Sequence, residues 1–350
     1  MSSHFNRVLT FVACFGASIC TVASAQGSAL QSVDASTSQV DGCTRNAPSP
    51  SILVTLPSLN ALAFVDPSTQ EIEQMDAIHQ SPGSIVMHPR RPVAFIATNG
   101  NTQIIYFDLL CQRTIATIAL PDGFRDMQIN DDGTELFVLD NMTNDLLVIS
   151  VAMQRVVQTD TLTSSGTAIA YSRAAHELFV PEPFIDRTGV LDTPSGAPDH
   201  VIFQGKCLGQ CRPTGAETGP GGQYLFITDF NGGYAIYDAP THHILVNTGH
   251  DGRVDYPILG GFDAFLNGIA FMYDVIPPDR VAVVSSVPPF QTLASWTIPS
   301  PKRFRLTSAA FDAAGIGYVA ENLGLLLLYP DGSARILNLG TQAVGTAYYP

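Results

Sequence analysis

The sequence predicts an all-β chain folded as a seven-bladed β-propeller, with its last strand completing its first blade. Three observations lead there. The segments 62-LAFVDPS-68, 104-IIYFDLL-110, 146-LLVISVA-152 and 188-TGVLDTP-194 set Asp66, Asp108, Ser150 and Asp192 at intervals of 42 residues, the length of one four-stranded blade. A second short strand recurs in seven copies: 52-ILVT-55, 95-FIAT-98, 137-FVLD-140, 179-FVPE-182, 226-FITD-229, 282-AVVS-285 and 318-YVAE-321. An apolar strand precedes most of them, as 84-SIVM-87, 126-DMQI-129, 168-AIAY-171, 268-GIAF-271 and 308-SAAF-311. It is missing before the first copy and turns up at the far end as 345-GTAYY-349. A blade cannot bury both of its faces alone, so the ring must close on itself.

The chain divides into three parts. Residues 1–25 read as a signal peptide: Arg7, an apolar run from Val8 to Val22, and the small-residue cleavage site 23-ASA-25 before Gln26. Residues 26–50, rich in Ser, Thr, Gln and Pro, read as a flexible lead-in. Residues 51–350 are the single propeller domain, larger than most domains because propellers grow by adding blades. The apolar run of the signal is too short and interrupted for a membrane span, and no later segment approaches one. The expected product is an exported monomer, secreted or, from a bacterium, periplasmic.

Net charge is −14, and the chain holds two lysines, Lys206 and Lys302. Such a surface repels nucleic acid and anionic membranes. Four cysteines remain after the signal: Cys43, Cys111, Cys207 and Cys211. An even count in an oxidising compartment points to disulfides. Cys43 enters the ring on the face that also carries the turn holding Cys111, while Cys207 and Cys211 share a loop on the opposite face. The expected pairs are Cys43–Cys111 and Cys207–Cys211. Zinc is the rival reading, but Cys207-x3-Cys211 lacks a second spaced pair. Asn141-Met142-Thr143 is a glycosylation sequon with meaning in a eukaryote only.

Ligands of propellers sit at the channel mouth, on the face where one blade passes to the next. The loops of that face carry His79, His250, Arg125, Arg212, Arg253, Arg303 and Arg305. A loop His there can serve as general acid or base, and Arg forks hold carboxylate, phosphate or enolate oxygens at two points. His79, His250, Arg125 and Arg212 are therefore the catalytic candidates. The plain reading makes the histidines solvated and the arginines partners of surface acids. The stretch 248-TGHDGRVDYPILGGFDAFLN-267 reads as an insertion able to fold over the mouth as a lid, through Tyr256, Phe262 and Phe265. With Phe184 and Phe230 it would wall an apolar pocket for a small organic molecule, Arg253, Tyr256, Arg303 and Arg305 completing the ligand-binding set. Acids recur at the end of the second strand, as Asp140, Glu182, Asp229 and Glu321. They read either as donors to one divalent cation, Ca²⁺ foremost, or simply as strand-ending turn caps.

The repeat pattern over about residues 51–350 resembles that of the seven-bladed propellers of the YVTN-repeat and lactonase-like superfamily. The resemblance implies a ring closed by the C-terminal strand. Gluconolactonase-like propellers, which hold an ion on acids and Asn near the channel, are the precedent for the cation. Secreted fungal natural-product propellers, hetero-Diels–Alder catalysts among them, are the precedent for a cyclase of secondary metabolism. No G-x-S-x-G, phosphate loop or C-x-x-C-H haem site occurs, and the single tryptophan, Trp296, falls within a predicted strand. Non-redox chemistry is therefore expected, either lactonase-like hydrolysis or a cyclisation. The competing expectation is a non-catalytic scaffold binding protein or carbohydrate.

Overall fold

The computed structural model describes residues 49–78, 81–98, 100–120, 123–140, 142–192, 198–202, 212–230, 232–248, 257–273, 280–298 and 306–350. All belong to one compact unit, Cys43–Pro350. The signal peptide and nearly all of the lead-in lie outside the described residues, as do Cys43, Cys207, Cys211 and Asn141. Cys111 is disulfide-bonded, but its pairing falls outside them too.

Twenty-eight strands form seven antiparallel sheets of four. In each blade the first strand lines the axis and the fourth faces solvent. The first strands are Ile85–Met87, Phe124–Ile129, Ala170–Ser172, Pro213–Thr218, Pro257–Asp263 and Ser308–Phe311 for blades two to seven. Blade one takes its first strand from the C-terminus, Thr346–Tyr349, which pairs Val54 with Thr346 and Leu53 with Ala347. The closure is reinforced where Thr55 Oγ1 donates to the Gly83 carbonyl at 2.6 Å and accepts from the Gly345 amide at 2.8 Å.

Alternation along the second strands explains why the ring holds. Every residue of Ser51–Leu56 is buried, because both faces of a central strand are covered. Ile52, Val54 and Leu56 pack with Tyr318, Leu325 and Leu327 of blade seven, while Leu53 turns the other way to meet Ile85, Ile96 and Phe107 of blade two. The same two-residue alternation builds seven hydrophobic clusters, each shared by two neighbouring blades. The fourth strands differ: Ile72–Ala77 and Arg113–Ala119 are mostly exposed.

Three of the four residues that set the 42-residue period cap turns. Asp66 accepts from the Ser68 amide at 2.7 Å, Asp108 from those of Leu110 and Cys111 at 2.9 and 3.1 Å, and Ser150 from that of Met153 at 3.2 Å. Each closes the hairpin between third and fourth strands, which such short polar side chains favour.

Blade six corrects the sequence reading. Residues 282–285, expected as its second strand, belong to its third, Arg280–Ser285, and 268–271 belong to its second, Gly268–Tyr273. The true first strand, Pro257–Asp263, lies inside the stretch expected as a lid. It escaped notice because Gly260-Gly261 interrupts its apolar pattern: the register slips between Leu259 and Gly261, and Gly261 has φ +108°, a bulge built on glycine. Phe262 is therefore a strand residue. Phe265 stands in the hairpin between first and second strands, at the end of the ring away from the blade-to-blade segments, where it meets Gly315 of the next blade.

Candidate functional site in the central channel

The segments that pass from one blade to the next, and the turns between second and third strands, share one face. From that face a cavity of about 500 Å³ descends between the first strands of all seven blades. Its walls are laid out by register. Thr346 pairs with Val54, Asp126 with Leu139 and Ser308 with Ala320, while the Ser84 carbonyl accepts the Ala97 amide at 2.9 Å. Val54, Ala97, Leu139 and Ala320 are the third residues of their repeats, so Ser308, Thr346, Ser84 and Asp126 form one tier across blades seven, one, two and three. Two residues further along their strands, Gln128 pairs with Phe137 and Glu217 with Phe226, forming a deeper tier. On other blades the wall is small: Ala168, Gly215, Gly260 and Gly261.

Three first strands carry a bulge near the mouth, between Phe124 and Asp126, Pro213 and Gly215, and Leu259 and Gly261. The extra residues are Arg125, Thr214 and Gly260, and all three line the cavity. A bulge re-aims the strand that bears it, and here it brings Arg125 to the mouth, with Nη1 3.4 Å from the Gly166 carbonyl.

The chemistry centres on Asp126 and Glu217. Asp126 accepts the Met127 amide at 2.9 Å through one oxygen and the Ile169 amide at 2.8 Å through the other, tying blade three to blade four. Glu217 accepts the Thr218 amide at 3.2 Å through Oε1, and its second oxygen has no hydrogen-bond partner among the described residues. Each keeps part of its surface open to the channel but lies deep among protein atoms, where the charged form is poorly solvated. Burial raises Asp126 to about 6 against the pull of the Ile169 and Met127 amides. Burial raises Glu217 to about 7, opposed by the Thr218 amide and reinforced by the charge on Asp126. Near neutrality Asp126 ionises first and its charge helps keep the proton on Glu217: one base and one acid facing one cavity.

The sites expected from sequence are distributed otherwise. Arg125 is at the mouth as expected. Arg212 is exposed at the entry to blade five, its amide held by Asp186 at 3.0 Å and its guanidinium 5.8 Å from the Phe230 ring, and it is not part of the cavity wall. Phe184 and Phe230 lie on turns between second and third strands and are 75% and 40% exposed. Together with the placement of Phe262 and Phe265, this removes the aromatic wall: the described lining contains no aromatic side chain. His79, His250, Arg253, Tyr256, Arg303 and Arg305 lie outside the described residues.

The ring of strand-end acids does not fit a shared ion. Asp140 takes the Met142 and Thr143 amides, each at 2.7 Å, and Asp229 takes the Gly233 amide at 3.2 Å. Glu182 is bound by Arg187 at 2.6 Å and by the Ser164 amide at 2.7 Å. Glu321 is buried in blade seven and, among the described residues, has no side-chain partner and no well-formed hydrogen bond. Among the described residues no three His, Cys, Asp or Glu converge to hold a metal. These acids serve their own blades, and the expected cation site on them is corrected accordingly.

Asp126 and Glu217 were missed as site residues. A charged residue opening the axial strand 126-DMQI-129 was the available signal for the first. The first strand of blade five, 213-PTGAET-218, carries too little apolar character to be recognised, so Glu217 had no frame to stand in.

No protein-family model and no curated protein sequence matches the chain. Solved structures do. A functionally unknown protein from Desulfotomaculum acetoxidans superposes with TM-score 0.70 at 13% identity, over 86% of this chain and 99% of that one. The dihydro-heme d1 dehydrogenase NirN superposes with TM-score 0.60 at 12% identity, over 86% and 75%. Kuenenia stuttgartiensis hydrazine synthase does so with TM-score 0.59 at 16% identity, over 71% and 77%. The likeness is one of fold.

Proposed function

We propose that the protein is an exported, non-redox hydrolase of the lactonase-like kind, acting on a small organic molecule inside the channel. The observation that carries this reading is the pair Asp126 and Glu217, raised to about 6 and about 7 and open to one cavity. In lactone or ester opening, ionised Asp126 takes a proton from water as its oxygen bonds to the carbonyl carbon. Protonated Glu217 gives its proton to the oxygen released when the ring C–O bond breaks. Arg125, exposed on its bulge, flanks the mouth above this pair and can donate to a carbonyl oxygen of the substrate. The cyclase reading needs a shaped apolar, aromatic wall; the described lining mixes polar groups with aliphatic side chains and carries no aromatic ring, so hydrolysis is preferred.

The test is a panel of small lactones and esters assayed from pH 4 to 9. The expected profile is bell-shaped with limbs near 6 and 7, and Glu217→Gln loses its alkaline limb along with about 10²-fold of kcat. A flat profile, or full activity in Glu217→Gln, overturns the assignment.

One observation favours the alternative of a non-catalytic scaffold binding protein or carbohydrate. Met142, Phe184, Leu323 and Leu59 stand exposed on turns of the mouth face. A chain inert toward the whole panel that binds a partner through those turns fits that reading.

A further inference from the structure

We infer that the molecule taken up by the channel carries a protonated amine, received by Asp126, Glu217 and the side-chain oxygen of Gln128. The inference rests on the channel being the ligand site and goes further, to the charge of what enters it.

The inner wall is rich in acceptors that the protein does not use. Among the described residues neither Glu217 Oε2 nor the Gln128 side chain, in the same tier and on the cavity wall, has a hydrogen-bond partner. Both side chains are partly open to the channel, so their free bonding capacity faces whatever occupies it, water or ligand. An ammonium group presents three donors and no acceptor, which matches two carboxyls and a carboxamide oxygen, whereas an alcohol presents one donor. Electrostatics point the same way. Among the described lining residues Asp126 and Glu217 are the acids and Arg125 is the single cation, standing outward on its bulge. Ser308, Thr346 and Ser84 add hydroxyls from blades seven, one and two and no charge. Inward of Arg125 the charged groups of the described lining are both carboxyls, and a cleft so lined concentrates cations. The small residues Ala168, Gly215 and Gly261 leave room beside the carboxyls for the body of the molecule.

The test uses the full mature chain and three probes of one shape: cyclohexylamine, cyclohexanol and cyclohexanecarboxylate, titrated calorimetrically at pH 8 and pH 5. At pH 8 both carboxyls are ionised and the amine is still charged. The amine is expected to bind at least tenfold more tightly than the alcohol, with the carboxylate weakest. At pH 5 both carboxyls are protonated and the preference is lost. Glu217→Gln is expected to lower amine affinity at pH 8 about tenfold while leaving the alcohol unchanged. Equal binding of amine and alcohol at pH 8, with both weakened by Glu217→Gln, overturns the amine but leaves the acid–base reading standing. Amine binding indifferent to both pH and Glu217→Gln overturns the seat itself. If Glu217→Gln fails to fold, the pH comparison on the unaltered protein decides alone.

Discussion

Asp140, Glu182, Asp229 and Glu321 end their strands at one repeated position, whereas Asp126 and Glu217 occupy different tiers of two different blades. Both sets are withdrawn from bulk water, yet they behave differently. Three of the repeated acids are bonded by amides or an arginine of their own surroundings. The channel acids each keep bonding capacity turned toward a cavity. A position that recurs in blade after blade reports what every blade needs, here a closed turn. An acid that breaks the repeat answers a need that one place in the ring has and the others lack.

The largest expected effect separates the two sets. Glu182→Ala strips the 2.6 Å partner from Arg187, which is only 19% exposed, and leaves the Ser164 amide unpaired. Breaking a buried pair on one side costs about 3–5 kcal/mol, measurable as a lowered denaturation midpoint at constant slope. Glu217→Gln is expected to fold at least as stably as the parent at pH 8 while losing about 10²-fold in kcat. If Glu182→Ala were harmless and Glu217→Gln unfolded, the assignment of roles would be reversed.

The pH dependence of stability sharpens the contrast. Asp126 and Glu217 are raised from 3.8 and 4.5 to about 6 and about 7. A group raised on folding contributes stability that is complete below its unfolded pKa and is lost as pH rises through the folded value. The protein should therefore lose about 2 kcal/mol between pH 5 and 8, a figure discounted for the open side of the channel. The double variant Asp126→Asn/Glu217→Gln should flatten that slope, followed as melting temperature against pH. A slope unchanged in the double variant would move its origin elsewhere.

How much of this was legible beforehand follows from the same contrast. The repeat was legible because turn caps such as Asp66 and Asp108, and second strands such as 52-ILVT-55 and 318-YVAE-321, must recur for the ring to close. The closing strand at 346–349 could be deduced because one copy was absent at the start. Blade six was misread because a Gly-Gly bulge replaces the apolar beat of its first strand. The channel acids were not legible as a site because a single carboxylate in a strand says nothing until its register, and the tier across the axis, are known. Arg125 could be placed at the mouth by topology alone, whereas its exposure there depends on a bulge of one residue that the sequence does not mark.

The smallest expected effect concerns the repeated acid that is held least well among the described residues. Glu321 is fully buried and, among the described residues, no side chain pairs with its carboxyl, which lies near the Leu323 and Asn322 amides without a well-formed hydrogen bond. Burial raises its pKa, the Leu323 and Asn322 amides opposing only in part. Its equivalent in blade four, Glu182, has an arginine, and blade seven supplies none among the described residues. By the same sign rule its contribution is best at low pH and deteriorates as pH rises through its folded pKa. Glu321→Gln removes the titration and keeps the shape, so it is expected to stabilise the protein by about 1 kcal/mol at pH 8 and by little at pH 4. Denaturant melts at the two pH values measure this directly. A variant destabilised equally at both would mean that the carboxyl makes a bond in solution that the amide cannot, and would return Glu321 to the company of Glu182 and Asp140.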